Sequence, residues 1–341
     1  MRIATWNIEW FTDLFDDNGN ILVDGEWSGR YDITRAAQAE AIAVVMTALD
    51  ADAIMIIEAP DASHRRSSRV ALENFAEAFG LRIRRALLGF ENHTRQEIAL
   101  LFDPDALEVR HEPIGPEHGG HDAVAAPRFD GSFKIDLDID ATPETVVWSK
   151  PPLELACRSA AGRAFRMIGV HAKSKNPRGA KGREAVLREA IQNRRKQLAQ
   201  CIWLRRRVEE HLAAGDPLIV LGDFNDGPGI DEYEKLFGRS GLEIVLGEAD
   251  GGRLKDPHAD MALQRRLGAM PTTARFYISS QKRWLDVLLD YIMVSPDLAR
   301  QNPEWRIWHP FDDPVCYRTP ELREALLAAS DHFPVTLDID L

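Results

Sequence analysis

Short apolar runs recur along the whole chain, and most of them end by delivering one polar group. Arg2–Phe11, Ala53–Glu58, Ile98–Phe102, Ala164–His171, Leu218–Asp223, Val287–Val294 and Phe333–Leu341 have the length of buried strands. The last one alternates. Phe333, Val335, Leu337, Ile339 and Leu341 interleave with Pro334, Thr336, Asp338 and Asp340, so one face is apolar and the other wet. Between these runs the spacing predicts three helices. Asp32 caps one that runs to about Leu49, with Ala37, Ala41, Val45 and Ala48 as its inner stripe. A second covers Ser67–Phe79 and ends at Gly80. A long third covers Arg183–Ala214, with Leu187, Ile191, Leu198, Ile202, Val208 and Leu212 facing inward and Gly215 stopping it. Leu153–Cys157 and Ala164–Val170 read as a hairpin, and Pro113–Ser132 reads as a Gly/Pro/His-rich excursion. Strands and helices mix without strict βαβ alternation. That predicts an α+β chain in which two stacked sheets are flanked by helices.

The polar groups at the run ends carry the chemistry. Glu58 closes one run, and Asp223 closes another and is followed by Asn225 and Asp226. His171 ends a third, Asp290 interrupts a fourth, Asp331 and His332 precede the last, and Asn7 sits inside the first. Each alone has an ordinary reading. A Glu at a strand end is often a surface residue, Gly-Asp-x-Asn is often a turn, and a single His is often structural. A buried carboxylate without a partner is costly, however, and if these ends converge one cation satisfies several at once. Oxygen ligands without Cys or His metal spacing select Mg²⁺, Mn²⁺ or Ca²⁺ over zinc.

Thr5-Trp6-Asn7-Ile8, the strand ending at Glu58, Val170-His171-Ala172-Lys173-Ser174, Gly222-Asp223-Phe224-Asn225, Asp290-Tyr291-Ile292-Met293-Val294-Ser295 and Ser330-Asp331-His332-Phe333-Pro334 occur in that order. In this the chain resembles the endonuclease/exonuclease/phosphatase superfamily, whose pancreatic-deoxyribonuclease-like fold is a four-layered α/β sandwich with the site at one rim. The resemblance implies a single catalytic domain over residues 1–341 and a Mg²⁺-dependent phosphoesterase. It implies metal binding by Glu58, with Asn7 and Asp331 completing the shell directly or through water. It implies that Asp223 deprotonates the attacking water, that Asn225 holds that water and a phosphate oxygen, and that His332, held by Asp290, contacts the phosphate. His171 is implied opposite, as acid or hydrogen-bond donor, and it separates this chain from the abasic-site endonucleases. Two departures are visible. Ile57 stands where many members carry Gln, and Asp286, four residues before Asp290 on the same strand face, is a rival partner for His332.

Charge bears on the substrate. The chain carries a formal −12, yet Lys173 to Arg207 holds twelve Lys/Arg against Glu184 and Glu189. Lys173, Lys175 and Arg178, directly after His171, are read as substrate contacts, and the later arginines as the solvated face of the long helix. His-Ala-Lys-Ser-Lys resembles the His-x-Lys-Ser-Lys of certain bacterial nucleases, which favours nucleic acid. Arg95 is a further candidate contact, His118 and His121 are set aside as a metal pair because a Gly-rich loop offers poor preorganisation, and Lys150-Pro151-Pro152 is read as a structural strand start. The readings left open are a nuclease or phosphodiesterase on DNA or RNA, an enzyme acting on a small-molecule or lipid-headgroup phosphate, and a catalytically silent binding protein. Cys157, Cys201 and Cys316 are odd in number and widely spaced, so they read as reduced thiols. The opening residues lack signal-peptide character and no run approaches the ~18 apolar residues of a span. A cytoplasmic protein with no membrane partner is expected.

Overall fold

Two mixed sheets stand face to face, and each contains one parallel strand pair at its centre. The structure is a computed structural model. It describes residues 1–62, 66–92, 94, 96–120, 122–137, 144–176, 182–227, 238–249, 252–264, 270–278 and 282–341. In the first sheet, β1 (Arg2–Asn7) runs parallel to β2 (Ala53–Ala59). β4 (Glu97–Phe102) and β3 (Arg85–Leu88) add antiparallel beyond β2. On the other side of β1 come β16 (Val335–Asp338) and β15 (Glu304–Ile307), also antiparallel. In the second sheet, β10 (Ala164–His171) runs parallel to β11 (Leu218–Asp223). β9 (Leu153–Ser159) and β5 (Leu107–His111) flank β10, and β14 (Asp290–Val294) flanks β11. Parallel neighbours end at the same edge of a sheet. Asn7, Glu58, His171 and Asp223 all lie at the C-terminal ends of these central pairs, so a single rim collects them.

The alternation along the strands builds the layers. Ile3, Met55 and Ile57 of the first sheet meet Leu155, Met167, Ile219, Leu221 and Ile292 of the second in one buried cluster. The opposite face of the first sheet, with Trp6, Ile54 and Ile56, is covered by α1 (Arg35–Leu49), α2 (Ser68–Ala78) and the helix Pro320–Ala329. The outer face of the second sheet, with Ile168, Val170 and Val220, is covered by α3 (Arg183–Ala214) and the helix Gly241–Leu246. Burying apolar surface at roughly 25 cal/mol per Å² makes this three-interface core the dominant cohesive contribution. The expected α+β sandwich is the fold the chain adopts. Ile57, the residue in place of the family's Gln, is fully buried between the sheets. A polar side chain there would need a partner that the core does not supply.

Several local expectations need correction. α1 is capped by Thr34, whose side chain accepts from the Ala37 amide, and Asp32 instead adopts φ +59°. Its buried stripe runs through Gln38, Ile42, Val45 and Leu49, and Ala37 is exposed. Val287–Val294 is not one strand: β12 (Ala274–Ile278) and β13 (Arg283–Val287) form a separate hairpin, and β14 starts afresh at Asp290. The excursion at 113–132 contributes β6 (His118–Gly119) and the start of β7 (Ser132–Ile135), which with β8 (Glu144–Val146) make a small sheet. Phe129 and Phe133 from it pack on Trp203 of α3.

The largest correction concerns α3. Leu187 is exposed, and the face turned inward carries Asn193, Arg194, Gln197, Arg207 and His211 beside Leu198, Trp203 and Val208. Arg194, Arg205 and Arg207 are therefore buried arginines and not a solvated face. Arg207 pairs with Glu154 at 2.9 Å and donates to the carbonyls of Ala126 and Pro127, while Arg205 donates to the Leu246 carbonyl. Burial is tolerated because carboxylates and carbonyls from other elements satisfy these guanidinium groups. The three cysteines are buried and unpaired. No helix among the described residues is long and apolar enough to cross a membrane.

Candidate active site

The Gly-Asp-x-Asn segment shows how the sequence builds the rim. Gly222 sits at φ +137°, and a Cβ there would lie 2.0 Å from the Val170 carbonyl oxygen of β10. Only glycine allows β11 to approach β10 this closely. Asp223 follows, opposite His171 on one neighbour and opposite Asp290 on the other. The chain then turns. The Asn225 amide donates to Asp223 Oδ1 at 2.7 Å, and Asn225, at φ +49°, donates from Nδ2 to Asp223 Oδ2 and to the Ala172 carbonyl. Asn is among the residues that tolerate this left-handed backbone.

The other sheet answers from across the interface. Asn7 Nδ2 donates to Asp223 Oδ2 at 3.0 Å, leaving Asn7 Oδ1 buried without a donor among the described residues. Glu58 stands at a bulge between Ile57 and Ala59 and adopts φ +62°. A non-glycine residue held there stores a cost of order 1 kcal/mol, which the surrounding sheet absorbs. Its carboxylate lies 4.0 Å from His171 Nε2, and Asp223 Oδ2 lies 3.7 Å from the same nitrogen.

Ser330-Asp331-His332 is fixed from behind. Ser330 Oγ donates to the Asn7 carbonyl and accepts from the amides of Glu9 and His332, and Trp6 Nε1 donates to the His332 carbonyl. His332 Nδ1 and Asp290 Oδ2 are 2.8 Å apart in full burial. Asp290 is thus the partner, and Asp286 instead pairs with Arg275 at 2.8 Å. Burial alone lowers the His332 pKa, but Asp290, Asp223 and Asp331 together outweigh it and hold the imidazole well above its ordinary value. Asp223 is pushed up to about 7, chiefly by burial and then by Asp290, against the pull of His332 and its donors. A carboxylate poised there accepts a proton efficiently near neutral pH.

Three contributors escaped the sequence reading. Glu9, two residues beyond Asn7, is raised to about 7 by burial and by Asp331, with Arg30 opposing and Glu58 adding to the rise. It therefore shares one electrostatic neighbourhood with Asp331 and Glu58. The period-two spacing from Asn7 was the available signal. Lys150, read as structural, brings its ammonium to 3.1 Å from His171 Nδ1 and bonds Gln96. Its partner residues lie far away in sequence, so nothing local marked it. Ser330 was visible only as a member of its motif.

The basic candidates fare differently. The Lys175 ammonium is turned inward onto the fully buried Asp226 at 2.7 Å, which also meets Arg194 at 3.4 Å. Lys175 thereby departs from the expected substrate contact, because its ammonium is engaged as an ion-pair partner of a carboxylate buried in the core. Lys173 lies on the rim, and its amide donates to Gln200. Arg178, Arg95 and His121 lie outside the described residues, and exposed His118 bonds Ser132.

Among the described residues, Asp223, Asp290 and His332 form the one cluster whose ligand atoms lie within 4.8 Å of one another and could hold a metal ion. There the His332 nitrogen facing Asp290 is already hydrogen-bonded and Asp223 takes donors on both oxygens, while Asp290 Oδ1 is buried without a donor among the described residues. Asn7 Oδ1 is likewise undonated, and Glu9 feels the charges of Asp331 and Glu58.

A family model described as the Endonuclease/Exonuclease/phosphatase family matches residues 4–332. No curated protein matches the chain. Among solved structures, TDP2 from C. elegans superposes with a TM-score of 0.50 at 13% identity, covering 98% of this chain and 74% of that one. The 3'-5' exonuclease NExo from Neisseria Meningitidis gives 0.50 at 16% identity, with both chains covered at 100%. The 3' phosphatase NExo from Neisseria, bound to a product DNA hairpin, gives 0.50 at 16% identity with the same coverage. At such identities the likeness is one of fold.

Proposed function

The chain belongs to the endonuclease/exonuclease/phosphatase family, and from that premise we propose that it hydrolyses phosphodiester bonds of nucleic acid with Mg²⁺ as cofactor. Family members are phosphoesterase hydrolases that use divalent metals. The observation that carries the reading is the meeting of Asp223, Asn225, His171 and the Asp290–His332 pair on one rim with Glu58 and Asn7.

In this reading Asp223 takes a proton from water while Asn225 Nδ2 orients that water and a phosphate oxygen. The water oxygen bonds to phosphorus as the ester P–O bond breaks on the opposite side, and the leaving oxygen departs with the bonding pair and takes a proton from solvent. His332, kept cationic by Asp290, donates to a phosphoryl oxygen as its charge grows. His171, with Lys150 beside it, donates from across the phosphate. Glu58, Asn7 Oδ1 and Asp331 would hold the cation, which neutralises developing charge. Hydrolysis of unactivated phosphate esters calls for roughly 20 kcal/mol of stabilisation, so no single group suffices.

Nucleic acid is supported by the Neisseria neighbour's bound DNA and by Lys173 beside His171. A second reading, hydrolysis of a small phosphate ester, is favoured by one observation: Lys175, Arg194, Arg205 and Arg207 spend their charge inside the protein.

The test uses purified protein with single-stranded DNA, RNA, bis-p-nitrophenyl phosphate and p-nitrophenyl phosphate, with and without EDTA. Diester cleavage in Mg²⁺, abolished by EDTA, is expected. Asp223→Asn is expected to lower turnover by about 100-fold or more with the fold intact. Monoester-only cleavage transfers the assignment to the second reading, and silence with every metal leaves a binding protein on this scaffold. Near-normal activity in the Asp223 variant removes that residue as the base.

A further inference from the structure

The β12–β13 hairpin grows out of the site itself. The Arg275 amide donates to the Asp331 carbonyl at 2.8 Å, the Phe333 amide donates to the Thr273 carbonyl, and Ala274 bridges to His332. The hairpin is thereby locked in register with the proposed phosphate-contacting histidine. Its two faces differ sharply. One carries Phe276, whose ring stands edge-on to His332 at 5.7 Å, with Leu285 and Val287. The other carries Arg275, Tyr277, Trp284 and Asp286, none of which the core requires.

On that second face the aromatic rings stay in water. Trp284 is 53% exposed, Tyr277 51% and Phe311, from the neighbouring loop, 42%. They are also ordered against one another. Tyr277 and Trp284 are directly opposed cross-strand partners with centroids 5.4 Å apart. The Arg275 guanidinium lies 4.9 Å from the Trp284 ring and 5.3 Å from that of Phe311, and Asp286 fixes it in place. Lys282 and Arg283 precede Trp284 in the chain and add positive charge beside the rings, while Asp286 pairs Arg275 and Asp312 follows Phe311. Large apolar rings held exposed, pre-stacked and beside cations suit a ligand that brings flat faces and negative charge together.

We infer that Trp284, Tyr277 and Phe311 form a stacking platform for the bases of a single-stranded or unpaired nucleic-acid segment next to the phosphate being cleaved. This rests on the phosphodiesterase reading and supplies its substrate class. Stacking on aromatic side chains is tolerant of sequence, whereas a base-paired duplex hides its ring faces. The platform therefore selects unpaired strands and ends without reading their bases.

The experiment compares wild type, Trp284→Ala, Trp284→Phe and Phe311→Ala in Mg²⁺ on an oligomer of abasic sugar-phosphate units, which keeps the backbone and lacks ring faces, and on a fluorescein-labelled single-stranded oligonucleotide. Circular dichroism and thermal melting check each fold. The expected result is turnover of the base-free oligomer within twofold of wild type for every variant. Oligonucleotide kcat/KM should fall about tenfold in Trp284→Ala, chiefly through KM, with recovery in Trp284→Phe. Unchanged oligonucleotide kinetics in both alanine variants overturns the platform and leaves the Tyr277–Trp284 pair as a hairpin brace. If wild type cleaves neither substrate, the phosphodiesterase reading has failed by itself. Fluorescence anisotropy with the same oligonucleotide then decides the platform: weaker binding in Trp284→Ala retains it, and equal binding ends it. Sedimentation with phosphatidylcholine vesicles that wild type shows and Trp284→Ala loses also overturns it, in favour of a lipid surface.

Discussion

Gly222 and Asp290 show how much rests on single atoms at the rim. With a backbone oxygen 2.0 Å from the site of a Cβ, Gly222→Ala forces β10 and β11 apart or distorts φ. The expected cost is about 3 kcal/mol or more, read as a lowered midpoint in urea unfolding. A midpoint within experimental scatter of wild type would show that the strands tolerate the displacement. Asp290 acts through His332. Asp290→Asn keeps the shape but removes the charge that holds His332 protonated. We expect kcat to fall about 100-fold with KM little changed, and the alkaline limb of the pH–rate profile, set by loss of the His332 proton, to move to lower pH. An unaltered profile would mean that His332 does not act as a cation.

Element boundaries were the more legible part of the chain. Ser67 caps α2, Gly215 closes α3 in the left-handed conformation, and Gly80 ends the second helix, each as local residue chemistry dictates. α1 was misread at its start because Asp32 and Thr34 both have capping side chains, and only the loop geometry chose between them. A further cap carries a pH signature. Asp313 accepts from the Val315 and Cys316 amides and forms a two-point pair with Arg306. Its partial burial opposes ionisation, but Arg306 and the amides win and bring its pKa down to about 2 from 3.8. A carboxyl depressed on folding stabilises the folded state above its unfolded pKa, and that stability is lost as pH falls toward the folded value. Asp313→Asn should therefore lower Tm by a constant amount at pH 5–8, with the gap closing between about pH 4 and pH 2. A gap that persists at pH 2 would assign the effect to packing.

At the scale of the whole molecule, the second sheet and the helices that cover it are tied together by polar groups buried away from the inter-sheet core. Asp226 accepts from Lys175, Arg194 and the Gly241 amide, and its carbonyl accepts from Tyr291 Oη. One carboxylate thus ties the segment after β10, α3, the helix Gly241–Leu246 and β14 together directly behind the rim. Lys175→Met should behave as a stability variant, because stranding part of that buried charge costs on the order of 3 kcal/mol. Thermal melting should show the loss while KM for an oligonucleotide and its salt dependence stay near wild type. The reverse pattern would restore Lys175 as a phosphate contact.

Periodicity and end chemistry determined much of this protein from the sequence alone. Runs with one polar terminus marked the central strands β1, β2, β10 and β11 and pointed to the set Asn7, Glu58, His171, Asp223, Asn225, Asp290, Asp331 and His332, since a polar residue ending an apolar strand is a local pattern, whereas β3, β5, β12, β13 and β15 left no such run. Only the tertiary structure decided the rest. The arginines of α3 read as solvated because their neighbours in sequence are charged, yet Glu154, Asp226 and carbonyls from remote loops neutralise them inside. Lys150 meets His171 and Glu9 joins Asp331 for the same reason. Coulomb and hydrogen-bond partners are chosen by distance in space, and a one-dimensional pattern carries that information only when the partners share a strand or a helical turn.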